Sequence, residues 1–223
     1  MKIEIKGAIV PDGEGWIYDY FEIPCCCPKK VNRALAQAAG KEVDIYINSG
    51  GGNIFAGSEI YEAIRAYPGK KKIHVVGTAA SAASVVACAG PSEIAPTAMV
   101  MIHNASSPGA AGDYHAKDKE SEVLQKANQA IAAAYTEKTG MSQEEALRLM
   151  DRETWLSAKE AVELGLIDAI SQPAGQEIGL TAAAGGLLPQ EVIETIRRTH
   201  KPPNAQRAQA QLELLKLKGA VNL

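Results

Sequence analysis

The chain opens on an alternation: Ile3 and Ile5 stand between polar residues and lead into Ala8-Ile9-Val10. A period of two over such a run predicts a first strand. Pro11-Asp12-Gly13 reads as the turn that ends it. Pro28 suits the first position of a helix, where its missing N–H would be unpaired anyway. Val31, Ala34, Leu35 and Ala38 share one face of that helix, and Gly40 ends it. Val43-Asp44-Ile45-Tyr46-Ile47 alternates again as a strand and runs into Asn48-Ser49-Gly50-Gly51-Gly52, which reads as a strand-to-helix glycine loop. Gly57, Ile60, Tyr61 and Ile64 then mark one helix face. Ile73-His74-Val75-Val76 predicts a strand, residues 81–89 a helix of small residues, and residues 98–102 another strand.

A long helix is expected over residues 113–138, with Val123, Leu124, Ala127, Ile131 and Tyr135 as its buried stripe and Gly140 closing it. Two capping-box patterns follow, Ser142 with Glu145 and Ser157 with Glu160. The second helix stops near Gly165, before Leu166-Ile167-Asp168-Ala169-Ile170. Strands alternating with helices predict an α/β fold with a largely parallel sheet. The pattern changes at residue 172. Pro173, Gly175 and Ala182-Ala183-Ala184-Gly185-Gly186 read as a linker, followed by a short helix over 189–198 and a polar helix beyond Pro203. The expected organisation is a core of residues 1–171 and a linker with a helical extension over 172–223.

Composition narrows the class. The 223 residues are 46% hydrophobic and 22% charged. That balance and length predict one globular domain with an appendage. With 23 Lys+Arg against 26 Asp+Glu and 5% aromatics, the chain lacks the basic surplus and stacking platforms of a nucleic-acid binder. Three of the four cysteines are consecutive (Cys25, Cys26, Cys27), and no CxxC pair or matching histidine spacing exists. Neither a disulfide framework nor a metal site is expected, and no cofactor motif is present. The longest uncharged stretch, residues 73–92, is rich in Ala, Gly and Ser, so it reads as a buried strand and helix, not a membrane span. Met1-Lys2-Ile3-Glu4 begins a strand, not a signal peptide, and a cytoplasmic protein is expected.

Four segments can carry chemistry. Gly77-Thr78-Ala79-Ala80-Ser81-Ala82-Ala83-Ser84 leaves a strand and enters a helix, where a serine hydroxyl can be exposed beside the positive helix end. Taken alone, Ser81 reads as a helix N-cap. The glycine cluster offers backbone N–H groups to an oxyanion but lacks the lysine of a phosphate-binding loop. His103 ends the strand Met99-Val100-Met101-Ile102, the end at which parallel sheets place their sites, although a lone histidine there is more often structural. Asp151 and Glu153 precede Trp155-Leu156 and by themselves read as a solvated helix end. Together, a serine, a histidine and a later carboxylate form the parts of a triad with an oxyanion hole.

These segments resemble those of the Clp protease proteolytic subunit family, ClpP, and most closely its phage and prophage head-maturation members. The resemblance is carried by Tyr46-Ile47-Asn48-Ser49-Gly50-Gly51-Gly52 with Ala56-Gly57 and Ile60-Tyr61, by Gly77-Thr78-Ala79-Ala80-Ser81, by Met101-Ile102-His103-Asn104, and by Trp155-Leu156-Ser157-Ala158 through Gly165-Leu166-Ile167-Asp168. It implies a ClpP/crotonase-like core of repeated β/β/α units with a handle helix. Ser81 then takes the place of the nucleophile, His103 of the general base, and the N–H groups of Gly51 and Ala82 of the oxyanion hole. The family's acid, usually Asp, falls on Glu153, and Asp151 is its rival. The resemblance further implies a polypeptide substrate, here a capsid or scaffold protein, and assembly into homo-oligomeric rings, commonly heptameric. Gly50 stands where the family has Pro, as in the phage-like branch. The chain starts close to its first strand, which argues against docking to an ATPase unfoldase. Two other classes remain in view: an acyl-CoA enzyme of the crotonase fold, and a noncatalytic ring-forming assembly protein.

Overall fold

The computed structural model describes residues 1–107 and 111–172. The expected linker and extension from Pro173 onward lie outside the described residues.

In chain order the elements are β1 (Lys2–Ile9), α1 (Gly15–Tyr20), β2 (Cys25–Cys26), α2 (Pro28–Ala38), β3 (Val43–Gly52), α3 (Ile54–Arg65), β4 (Lys71–Ala80), α4 (Ala82–Ala87), β5 (Ser92–Ile94), β6 (Met99–Ile102), α5 (Tyr114–Thr139), α6 (Gln143–Asp151), β7 (Thr154–Ser157), α7 (Ala158–Glu163) and β8 (Ala169–Ile170). The strands form one sheet in the order β2-β1-β3-β4-β5-β8, with β6 pairing with β4 and β7. Every pair is parallel except β6 with β7. The fold is therefore mixed α/β with a largely parallel sheet, as the alternation predicts.

The core follows from period-two burial. Along β3, Val43, Ile45 and Ile47 are fully buried, and they meet Ile3 and Ile5 of β1 and Ile73 and Val75 of β4 across the sheet. Ile60 and Ile64 of α3 and Val31 of α2 cover that face. Each such side chain contributes about 1.5–3 kcal/mol on leaving water. The opposite face is polar. His74 stacks on Tyr46 with ring centroids 4.6 Å apart. Its Nδ1 lies 2.8 Å from Glu93 and its Nε2 3.1 Å from Asp44, so the ring ties β4 to both neighbouring strands.

Strand β4 forks. Its first half, Ile73–Val75, pairs with β5, and its second half, Thr78–Ala80, pairs with β6. The fork opens the sheet where β4 ends and leaves the Ala80–Ser81 corner facing the end of β6.

Several local expectations are corrected. The glycine cluster is not a loop: β3 continues to Gly52, because after a register shift Gly51 and Gly52 pair with Ala8 and Ile9 of β1. Alternation of side chains cannot reveal that, since glycines carry none. The helix expected over residues 81–89 spans only Ala82–Ala87. Val123 is half exposed, not part of a buried stripe, and burial along α5 is confined to Ala132, Ala134 and Tyr135. Ser157 and Glu160 form a reciprocal capping box, whereas Ser142 accepts from the Glu145 N–H without a return bond. Helix α1, strand β2 and the link between them, with Trp16, Ile17, Tyr20 and Ile23 exposed, have no periodic signal in the sequence.

Candidate active site

Register alone brings the serine and histidine together. In the parallel pair of β4 and β6, Ala80 lies opposite Met101. The Ser81 N–H continues the ladder by donating to the Met101 carbonyl at 2.9 Å. One residue beyond the end of each strand, the two side chains meet: His103 Nε2 stands 2.8 Å from Ser81 Oγ. With the imidazole proton on Nδ1, Nε2 accepts the serine hydroxyl hydrogen, the contact that a serine nucleophile needs with its base.

Ser81 is not a side-chain N-cap. It precedes α4, but its side chain makes no capping bond and its backbone sits at φ 56°, ψ −127°. A β-carbon-bearing residue rarely adopts this region, and doing so costs about 1–3 kcal/mol. The sharp strand-to-helix turn aims Oγ away from the helix axis and toward His103. Gly51 makes room for it. A β-carbon on Gly51 would lie 2.6 Å from the Ala80 oxygen, 2.7 Å from Ser81 Cβ and 2.9 Å from the Ala82 nitrogen, and its φ is +91°. The end of β3 thus touches the Ser81 turn backbone to backbone.

The two expected oxyanion donors are in different states. Ala82 is the first residue of α4, so its N–H has no intrahelical partner. The Gly51 N–H donates to Ser49 Oγ at 3.0 Å. Ser49 is itself buried and donates to the Gly7 carbonyl at 2.6 Å. Ser49 has no role in the sequence reading. Its place before three glycines was the one available signal.

The acid position is set by the antiparallel pair of β6 and β7. Ile102 lies opposite Thr154 and Met101 opposite Trp155. Continuing that register by one residue sets the Glu153 backbone beside that of His103. Glu153 turns there with φ 48°. Its carboxylate accepts from Trp155 Nε1 at 3.2 Å, and no hydrogen bond among the described residues joins it to His103. Trp155 is half exposed and does not bury the contact as a water-excluding lid would. Asp151 closes α6 and accepts from Asn104 Nδ2 at 2.7 Å, so it fixes the residue after the histidine and not the imidazole. Asn128 of α5 steadies the same loop by accepting from the Ala105 N–H at 2.7 Å.

A cleft opens over Ser81 and His103, walled by Ile54, Val85, Ile131 and Tyr135 with Ser58 and Asn104 at its polar side. The walls next to Ser81 are mostly apolar. Among the described residues no cluster of His, Cys, Asp or Glu could hold a metal ion, and no helix is long and apolar enough to cross a membrane.

The family described as Clp protease matches residues 32–174. The ATP-dependent Clp protease proteolytic subunit of Chlorella vulgaris is 34% identical over 139 residues, which cover 61% of this chain and 69% of that protein. The ATP-dependent Clp protease proteolytic subunit 1 of Chlamydia muridarum is 36% identical over 135 residues, covering 59% and 70%. Among solved structures, a ClpP1 mutant from Listeria monocytogenes shares the fold with a TM-score of 0.62 at 23% identity, over 78% of this chain and 92% of that one. The chain belongs to the Clp protease family.

Proposed function

We propose that the chain is a serine endopeptidase that cleaves polypeptides by Ser81 and His103 inside an oligomeric chamber. The observation that carries this reading is the 2.8 Å contact of His103 Nε2 with Ser81 Oγ at a strained turn in a walled cleft. Ser81 Oγ attacks the scissile carbonyl while Nε2 takes its proton. His103 then returns that proton to the leaving amine, and water repeats the cycle on the acyl-enzyme. The Ala82 N–H faces the developing oxyanion. Gly51 serves as the second donor once its N–H exchanges Ser49 Oγ for the substrate oxygen; each such donor is worth roughly 3 kcal/mol in the transition state. Glu153, beside His103 in register, reaches Nδ1 by a side-chain rotation that gives up the Trp155 indole.

An acyl-CoA reading needs oxyanion donors but no serine in contact with a histidine, so the Ser81–His103 pair disfavours it. The finer assignment to capsid or scaffold proteins in phage or prophage head maturation rests on the resemblance of the Asn48–Gly52 segment to that branch, and the heptameric ring rests on the resemblance to the family as a whole. Two measurements test the reading. A fluorophosphonate should label the protein at Ser81, and Ser81→Ala should lose labelling and peptide hydrolysis while keeping its fold. Unlabelled wild-type protein in its assembled form would overturn it.

A further inference from the structure

Ser84 lies three residues past Ser81 on α4 and is 1% exposed. Its Oγ donates to the Ser81 carbonyl at 2.6 Å and stands 2.8 Å from the Tyr135 hydroxyl of α5, which is also 1% exposed. A serine hydroxyl carries one proton. Since that proton goes to the Ser81 carbonyl, the Tyr135 O–H donates to Ser84 Oγ. Burial pushes the tyrosine pKa up, so the donor keeps its proton. Two hydrogen bonds therefore run from α5, through Ser84, to the backbone of Ser81.

A serine bonding back to the carbonyl three residues earlier is ordinary helix behaviour and says little alone. The second bond is not local: it crosses 51 positions of sequence, with both hydroxyls out of water. It also ends on a residue whose backbone needs holding. The Ser81 conformation persists only where its surroundings over-determine it. On one side the Met101 carbonyl holds the Ser81 N–H at 2.9 Å. On the other, its carbonyl receives both the Ser84 N–H at 2.9 Å and the Ser84 hydroxyl. The hydroxyl from α5 sets the direction of that second grip.

We propose that Ser84 and Tyr135 are a positioning pair, which acts through the Ser81 carbonyl to keep the nucleophile Oγ in line with His103 Nε2. The role rests on the reading of Ser81 as the nucleophile. Neither side chain touches the reacting atoms through its hydroxyl. Removing either hydroxyl should slow the chemical step and leave binding of a short peptide almost unchanged. Ser84→Ala leaves the Ser81 carbonyl with the Ser84 N–H alone and strands the buried Tyr135 phenol, whereas Tyr135→Phe removes one donor and keeps the cleft wall.

The test uses the assembled full chain and compares wild type, Tyr135→Phe, Ser84→Ala and the double variant. It reads the rate of fluorophosphonate labelling, kcat and KM for a short fluorogenic peptide, melting temperature and particle size. We expect kcat and labelling to fall about fivefold in Tyr135→Phe and about thirtyfold in Ser84→Ala, with KM within twofold. The double variant should be no worse than Ser84→Ala, because the bridge is already gone. If Ser84→Ala does not assemble, Tyr135→Phe alone decides. Wild type that labels, with variants that label and turn over at the wild-type rate, overturns the positioning role. So does a loss that follows only the fraction of folded protein. Wild type that does not label at Ser81 overturns the nucleophile reading and the pair with it.

Discussion

Gly50 and Gly51 are adjacent in sequence, yet a methyl group should have opposite consequences at the two. At Gly51 the added carbon would meet three atoms of the Ser81 turn at 2.6 to 2.9 Å, two of them backbone. The Gly51 backbone is left-handed, with φ +91°. For any L side chain that conformation adds roughly 1 to roughly 2 kcal/mol. Backbone atoms cannot swing aside as a side chain does, so β3 and the turn must part by several tenths of an ångström. We expect Gly51→Ala to destabilise the fold by about 2–4 kcal/mol. In a chain of this size that lowers the melting temperature by about 5–15 °C. A shift of that order at the nucleophile costs about 10- to 100-fold in kcat. At Gly50 nothing lies within 4 Å of an added carbon and the backbone is ordinary. Gly50→Ala should therefore stay within about 0.5 kcal/mol of wild type and keep its activity. Thermal unfolding by circular dichroism and hydrolysis of a fluorogenic peptide read both variants. Equal effects at the two positions, or a Gly51→Ala enzyme of normal rate, would refute the packing of β3 on the Ser81 turn.

Ser81→Ala should reduce kcat by several orders of magnitude with the melting temperature and particle size unchanged. Glu153→Gln should lower kcat by at least tenfold and Asp151→Asn by less than threefold; the reverse order would make Asp151 the acid. Val123→Asp combined with Leu124→Asp, on the outer part of α5, should split a large particle into smaller ones by light scattering without changing the melting temperature of the subunit. Burial pushes the Cys26 and Cys88 thiols up to about 12. Their reactive thiolates are thus scarce at about pH 8, and N-ethylmaleimide on the native protein should modify the partly exposed Cys25 first, by mass mapping. Removal of residues 172–223 should leave short-peptide cleavage intact, and loss of that activity would place the segment in the catalytic unit.

What the sequence made legible follows from which forces leave a local trace. Alternation at Val43–Ile47 and the helical spacing of Ile60 and Ile64 marked the core, since burial selects side chains at fixed periods. Ser81 and His103 stood out as candidates because their motifs sit at strand ends, where a parallel sheet gathers its chemistry, and the structure brings the two side chains together. The positive φ of Ser81 and Glu153 had no such trace, because neither position carries the glycine that usually marks that conformation. Ser81 therefore read as a cap and Glu153 as a solvated helix end. The Ser84–Tyr135 bond joins two residues with no shared pattern, and Asp151 gave no hint that its partner would be Asn104. Val123 carried an apolar signature into a position the subunit leaves half exposed, since periodicity names a face and not what covers it.

Helix α5 has 26 residues. At a rise of about 1.5 Å per residue it is about 39 Å long. Its buried anchor begins at Ala132, so about 27 Å of rod extends from there to Tyr114. An anchor this short and a rod this long form an unequal lever: a tilt of about 10° at Ala132 carries the far tip through about 5 Å. Amide exchange should grade along it, slow near Tyr135 and fast toward Tyr114, because tertiary contacts and not helix propensity hold back opening. The slow end of that gradient is the turn that carries the Tyr135 hydroxyl.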